Sequence, residues 1–199
     1  SEMCIRDSNG NLTLSTQLIA NGADGGDHTS HSPGKIGGYD GGGKTKNGFG
    51  PGRGYRQADQ NDGSGGAYAK EGVKASWTSS KYGNQNGDFH LLDLLGGSGG
   101  GGGQYKAGGS GGGAIELMAH GAGSLKLTSG ARITVNGGDT TNRDRGGGGG
   151  AGGSIRLVGG SIENNGEVQA RGGGLEPGGI ADMDGTGGRI AFDSNGSIK

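Results

Sequence analysis

The sequence predicts an all-β chain folded as a right-handed parallel β-solenoid (β-helix), about three strands per turn, with long glycine-rich excursions leaving one edge. Three observations carry this expectation. A short legend recurs as Gly112-Gly113-Ala114-Ile115-Glu116-Leu117, Gly152-Gly153-Ser154-Ile155-Arg156-Leu157 and Gly187-Gly188-Arg189-Ile190-Ala191-Phe192. Two further short alternating runs follow each copy, and a unit repeating at such a period is the signature of a stacked array. The chain also holds 56 glycines in 199 residues and is only 27% hydrophobic, so it cannot build an ordinary two-layer core.

The first run of each unit centres on Ile115, Ile155 and Ile190, spaced by 40 and 35 residues. The second begins at Ser124-Leu125, Ser161-Ile162 and Ser197-Ile198, with a variant at Gly10-Asn11-Leu12. The third reads Leu18 to Gly22, Ile133 to Gly137 and Val168 to Gly172. Apolar and polar residues alternate in each run, and successive side chains of a strand point to opposite faces. Leu12/Leu14, Leu18/Ala20, Ile115/Leu117, Leu125/Leu127, Ile133/Val135, Ile155/Leu157, Val168/Ala170 and Ile190/Phe192 are therefore expected inside. Glu116, Lys126, Thr134, Arg156, Gln169 and Ala191 are expected outside. Asn164 departs from the pattern, taking an inward position where it either stacks in a ladder or marks a corner.

Residues 1–8, Ser1-Glu-Met-Cys-Ile-Arg-Asp-Ser8, match neither the repeat nor a signal peptide, which needs an apolar core and a small-residue cleavage site. They resemble the translation of sequencing-adapter sequence and are expected to form a non-native or disordered leader. Residues 9–199 then form a single solenoid domain, a fragment of a longer array, free of cysteine once Cys4 is set aside. Without cysteines, neither disulfides, cysteine zinc sites nor thiol catalysis is available.

Excursions leave after the third run of each turn: 25–113, 139–153 and 173–188. The long one, at about 25–113, holds Tyr39, Phe49, Tyr55, Tyr68, Trp77, Tyr82, Phe89 and Tyr105, leaving only Phe192 in the repeats. In one reading these rings, with Leu91, Leu92, Leu94 and Leu95, pack the excursion onto the tube, since a long loop in a compact domain needs its own apolar anchors. In the other, Tyr55, Tyr68, Trp77 and Tyr82 are exposed and stack on sugar rings or form a protein-binding patch. The runs Gly99–Gly103 and Gly146–Gly150 are either extended, polyproline-II-like strands in close contact or hinges.

Sites for chemistry are sparse. His28 and His31 lack further ligands at metal-binding spacing, and His90 and His120 stand apart from any nucleophile. Asp24, Asp27, Asp139, Asp182 and Asp184 fall near loop corners, where gathered on one edge their hard oxygens would bind calcium, but the nonapeptide calcium repeat is absent. No cofactor is otherwise implied. The outward residues contain no paired carboxylates suited to glycoside hydrolysis. Glu116 over Arg156 reads as a cross-rung ion pair. A net charge of -1 with no basic stripe excludes nucleic acid as the main partner, and no apolar window is long enough for membrane insertion.

The succession Tyr82-Gly-Asn, then Asp93 through Gly103, then Gly108 through Leu117 and later Ile133 through Gly138 resembles the glycine-rich parallel β-helix repeats of large secreted or cell-surface proteins of protists and some bacteria. The resemblance spans residues 9–199 and implies an extracellular structural, adhesive or matrix role, with no catalytic residues to carry over. The first expectation is therefore a fibre-forming extracellular or cell-surface element without catalysis, self-associating end to end through unpaired strand edges. A carbohydrate-binding adhesin that holds extracellular glycans on the aromatic excursion is the alternative. A polysaccharide lyase or hydrolase, argued from fold analogy alone, is the third.

Overall fold

The computed structural model describes residues 4–27, 30–56, 62–72, 83–88, 90–140, 146–174 and 183–199. The protein is all-β, with ten strands in three parallel sheets and no α-helix among the described residues. The strands are β1 (Cys4–Ser8), β2 (Leu12–Leu14), β3 (Gln17–Ile19), β4 (Ala114–Ala119), β5 (Ser124–Leu127), β6 (Arg132–Thr134), β7 (Ser154–Gly159), β8 (Ser161–Asn164), β9 (Glu167–Gln169) and β10 (Arg189–Ser194). The first sheet has the order β1-β4-β7-β10, the second β2-β5-β8 and the third β3-β6-β9. Consecutive strands thus visit the three sheets in rotation, and each strand pairs in parallel with its sequence equivalent.

Register follows the apolar columns. Ile115 pairs with Ile155 and Ile155 with Ile190, while Leu117, Leu157 and Phe192 form the next column. Leu12, Leu125 and Ile162 align in the second sheet, and Leu18, Ile133 and Val168 in the third. A one-residue slip would turn each of these columns out to solvent, so burial of one face specifies the pairing. All three sheets send these residues into one core, joined by Ala119 and Ala131, with Leu12, Leu18, Val168, Ala170 and Phe192 packed at its margin.

Two expectations, for Ile190 and Thr134, change. Ile190 is 39% exposed, because β10 is the outermost strand of its sheet among the described residues, with a strand beside it on one side only. Thr134 is 1% exposed, since Ile19 and Gln169 stand beside it in adjoining layers and a short side chain between longer ones is covered. Residues 4–8 form β1 on β4, with Arg6 in register with Leu117 rather than an aliphatic residue. Asn164 marks a corner: its Oδ1 accepts the Gly166 N–H at 3.1 Å, a local turn that asparagine favours.

The segments outside the sheets are built on glycine backbone. Along 108–114 the N–H groups point to three neighbours in rotation. Gly108, Gly111 and Ala114 donate to Gly42, Tyr39 and Ile36; Gly109 and Gly112 to Gly148 and Ala151; Ser110 and Gly113 to Ala23 and Ala20. A period of three belongs to polyproline-II geometry, whereas a strand alternates with a period of two. Gly99–Gly103 and Gly146–Gly150 are buried. Gly100 donates to Gly109 and Gly101 to Ser64, while Gly148 and Gly150 donate to Gly101 and Gly138. These runs are packed strands rather than hinges. A relay of peptide groups crosses the excursions, from Gly185 to Gly173, Gly173 to Gly150, Gly150 to Gly138 and Gly138 to Ser110, at 2.8 to 2.9 Å. Segments can approach this closely only without Cβ atoms: one placed on Gly111 would lie 1.7 Å from the Gly97 carbonyl oxygen.

Part of the long excursion also covers the outer face of the first sheet. Leu91 and Leu94 pack with Ala114, and Ala191 lies against them. Asp88 accepts the N–H groups of His90 and Leu92, fixing a turn in which Leu91 takes a φ of 52° and buries its side chain. Ser154 Oγ donates to the Leu95 carbonyl at 2.6 Å, whereas Leu92 stays exposed.

Candidate functional site

On each sheet the outward polar residues join layer to layer. Arg156 donates from its η1 nitrogen to Glu116 at 2.9 Å and from Nε to Asp193 at 2.8 Å, so one guanidinium ties three strands together. Side-chain exposure is only 20% for Arg156 and 13% for Glu116. Burial disfavours the charged guanidinium, but hydrogen bonds to Asp193 and Glu116 outweigh it and raise the Arg156 pKa. Arg156→Ala is expected to destabilise the fold by about 1–3 kcal/mol, since it leaves a largely buried carboxylate unpaired. Lys126→Ala, on a more exposed pair, should lose less than about 1 kcal/mol; urea midpoints compare the two.

Lys126 Nζ lies 2.9 and 3.0 Å from the carboxylate oxygens of Glu163, and Arg132 Nε 2.9 Å from Glu167. The Lys126 hydrogen bond, helped by Asn165, lowers the pKa of Glu163. A depressed folded pKa gives stability that is present above the ordinary carboxylate range and lost as pH falls through the folded value. Glu163→Gln should therefore flatten the acid limb of stability against pH while leaving the neutral limb's shape unchanged. Urea midpoints between pH 2 and 7 test this, and an unaltered acid limb would count against the pairing.

The corner after the third strand carries two side-chain ladders. Asn21 Oδ1 accepts the Asn136 N–H, and Asn136 Oδ1 accepts the Arg171 N–H, at 2.9 and 2.8 Å. Asp24 Oδ1 accepts the Asp139 N–H, and Asp139 Oδ1 the Gly174 N–H, both at 2.9 Å. Together they line a shallow groove of about 440 Å³. Two of the acidic residues considered for calcium thus cap backbone of the next layer. Asp27 instead pairs with Lys106, and Asp184 lies beside Gly174. Asp182 falls outside the described residues. Among the described residues no group of three or more His, Cys, Asp or Glu is arranged to hold a metal ion.

Of the aromatic residues considered for stacking, Tyr55 and Tyr68 are among the described residues. Tyr68 is fully buried, with Gly87 against its ring, and burial pushes its phenol pKa up. Neither ring face is open to a ligand. Tyr55 is partly buried, with the Arg53 guanidinium 5.6 Å from its ring centroid. Trp77, Tyr82, Phe89 and His28 lie outside the described residues. Phe49 is exposed and meets His31 edge-on at 6.1 Å, and His31 Nε2 lies 3.2 Å from Asp40. His120 Nε2 lies 2.8 Å from Asp7.

Two further concave features lie along the first sheet, one of about 460 Å³ lined by residues 118 to 121, Val158, Gly159 and residues 192 to 195. A groove of about 410 Å³ runs along β10, lined by residues 188 to 193 with Ala69 and His90. The ladders and the Asp193 contact were not anticipated from sequence. The ladders had a signal in the phase of Asn21 with Asn136 and Asp24 with Asp139, each 115 residues apart. The Asp193 contact is diagonal, and a strictly column-wise reading passes over it.

Comparison with protein-family models, curated proteins and solved structures returns no match to this chain.

Proposed function

We propose that the three sheets are the faces of one parallel β-solenoid, and that the protein is an extracellular structural element that acts without catalysis and associates with further copies through its ends. On this reading it shares the architecture of the large glycine-rich secreted and cell-surface repeat proteins it resembles. One observation supports it above the rest: successive strands fall into the sheets in rotation, and both apolar columns and polar ladders keep register from layer to layer. The charged and amide side chains of the sheets, Arg156, Asn136 and Asp139 foremost, are committed to neighbouring layers. A chain so arranged puts its chemistry into holding itself together, and the strand edges of a stacked repeat are the groups through which one copy can pair with another.

Electron microscopy of the purified chain over a concentration series tests the reading. Elongated particles whose length rises in multiples of a single-copy length are expected, with a 4.8 Å axial spacing in diffraction, on the order of the strand separation. Single particles at every concentration, together with turnover of a polysaccharide or glycan binding lost on Trp77→Ala, would sink it.

A further inference from the structure

Residues 41–56 carry Lys44, Lys46, Arg53 and Arg56 and no aspartate or glutamate, in a chain whose 18 cationic and 19 acidic side chains nearly balance. Lys46, Arg53 and Arg56 are exposed and Lys44 is half-buried. On the sheets, by contrast, Lys126, Arg132 and Arg156 each meet a carboxylate. Among the described residues, none of the four cations of 41–56 has a carboxylate within ion-pair distance. Asp62 follows this segment, beside the antiparallel bridge of Arg56 with Gly63, and its Oδ1 is turned away from solvent.

Hydrogen bonds gather the four charges and hold their backbone in place. The Arg56 N–H donates to Asn47 Oδ1 at 3.0 Å and the guanidinium to the Thr45 carbonyl at 3.4 Å, so Arg56 lies against the stretch that carries Lys44 and Lys46. Gly48 donates to Gly54, which draws Arg53 to the same side. Thr45 donates to Gly103, and Lys46 accepts from Gly102, which pins the stretch to the buried Gly99–Gly103 run. The Arg53 guanidinium stands 5.6 Å from the centroid of the Tyr55 ring, a contact that orients its fork. Four like charges on one fixed segment repel each other, and a bound anion relieves that repulsion.

We propose that Lys44, Lys46, Arg53 and Arg56 form a binding site for an acidic polysaccharide, whose sulfate or carboxylate groups supply the counter-charges that these cations lack within the chain. Guanidinium forks take either group through paired hydrogen bonds, and lysines add point charges. A polymer with anions along its length can engage all four at once. Phe49, the exposed apolar ring of this segment, meets His31 edge-on, which leaves a lipid surface little to insert. The site stands on the segment itself; the choice of a polysaccharide among polyanions rests on the extracellular reading above.

Lys46→Glu combined with Arg53→Glu tests it. Both side chains are exposed and neither holds an ion pair, so the fold should survive, as circular dichroism and the urea midpoint will check. Heparin and polygalacturonate are the probes, with dextran as the uncharged control, followed by fluorescence titration. The unaltered chain should bind at least one of the two acidic polymers, more weakly as salt rises, and should ignore dextran. The charge reversals should weaken that binding at least about tenfold. Arg171→Glu combined with Lys199→Glu alters the net charge equally at exposed positions elsewhere and should weaken it less than about threefold. Binding to neither polymer overturns the proposal, as does an equal loss from both double variants, since net charge alone would then account for it. Tighter binding of a DNA duplex or of phosphatidylserine vesicles than of either polysaccharide also overturns it. Particle length in the electron microscope is read separately. Rods that grow with concentration from a chain that binds neither polymer would overturn this site and leave end-to-end association standing, whereas single particles that bind through Lys46 and Arg53 would do the reverse.

Discussion

Gly111→Ala is expected to destabilise the protein by about 3 kcal/mol or more, the upper range for overpacking a core. The added Cβ would lie 1.7 Å from the Gly97 carbonyl oxygen and 2.2 Å from its carbon. Both atoms belong to backbone, so no side-chain rotation relieves the clash. Gly97 cannot withdraw easily either, because its N–H donates to Gly112 and its carbonyl accepts from Tyr39. Gly10→Ala is the matched control. A Cβ there meets nothing within 4 Å, and the loss of unfolded-state freedom should leave stability unchanged or raised by up to about 1 kcal/mol. Urea denaturation of both variants measures the difference. Equal midpoints would mean that the glycine segments are not packed against each other.

The second large effect is expected at Leu157. It is fully buried in the column between Leu117 and Phe192, so Leu157→Ala removes a side chain that neighbours on both layers cannot replace. A loss of about 2–5 kcal/mol is expected, as for aliphatic truncation in a closed core. Ile190→Ala, in the adjoining column but at the open end of the sheet, should lose less than about 1.5 kcal/mol, because much of its surface already meets solvent. A layered core makes this position dependence steep. Comparable losses at both sites would mean that β10 is covered in solution.

The strands were legible because their physics is written in side chains. A period of two places Ile115 and Leu117 inside and Glu116 outside, and the same phase recurs at Ile155 and Leu157, so both strand and register follow from the alternation. Of the inward residues named from that pattern, Ile190 alone is among the exposed large hydrophobics, and its place at the sheet's end accounts for it. The glycine segments were not legible in the same way. Their period of three lies in the directions of N–H groups, and a run such as Gly99 to Gly103 has no side chains to display it. The aromatic excursion could be located but not oriented. Burial of Tyr68 depends on its contact with Gly87, nineteen residues away, and nothing in the local sequence of either residue encodes that contact. Residues 4–8 show the converse. They lack the repeat's glycine pair, yet an open strand edge accepts them through backbone groups that every residue carries.

The central claim is that glycine backbone, in register with three parallel sheets, forms an ordered core rather than connecting loops. Hydrogen exchange resolved to single amides tests it most directly. The account predicts that Gly100, Gly109, Gly112, Gly148 and Gly150, whose N–H groups all bond to neighbouring segments, exchange as slowly as the core amides of β4 and β7. Exchange of these glycines at unprotected rates, with β4 and β7 still slow, would contradict it.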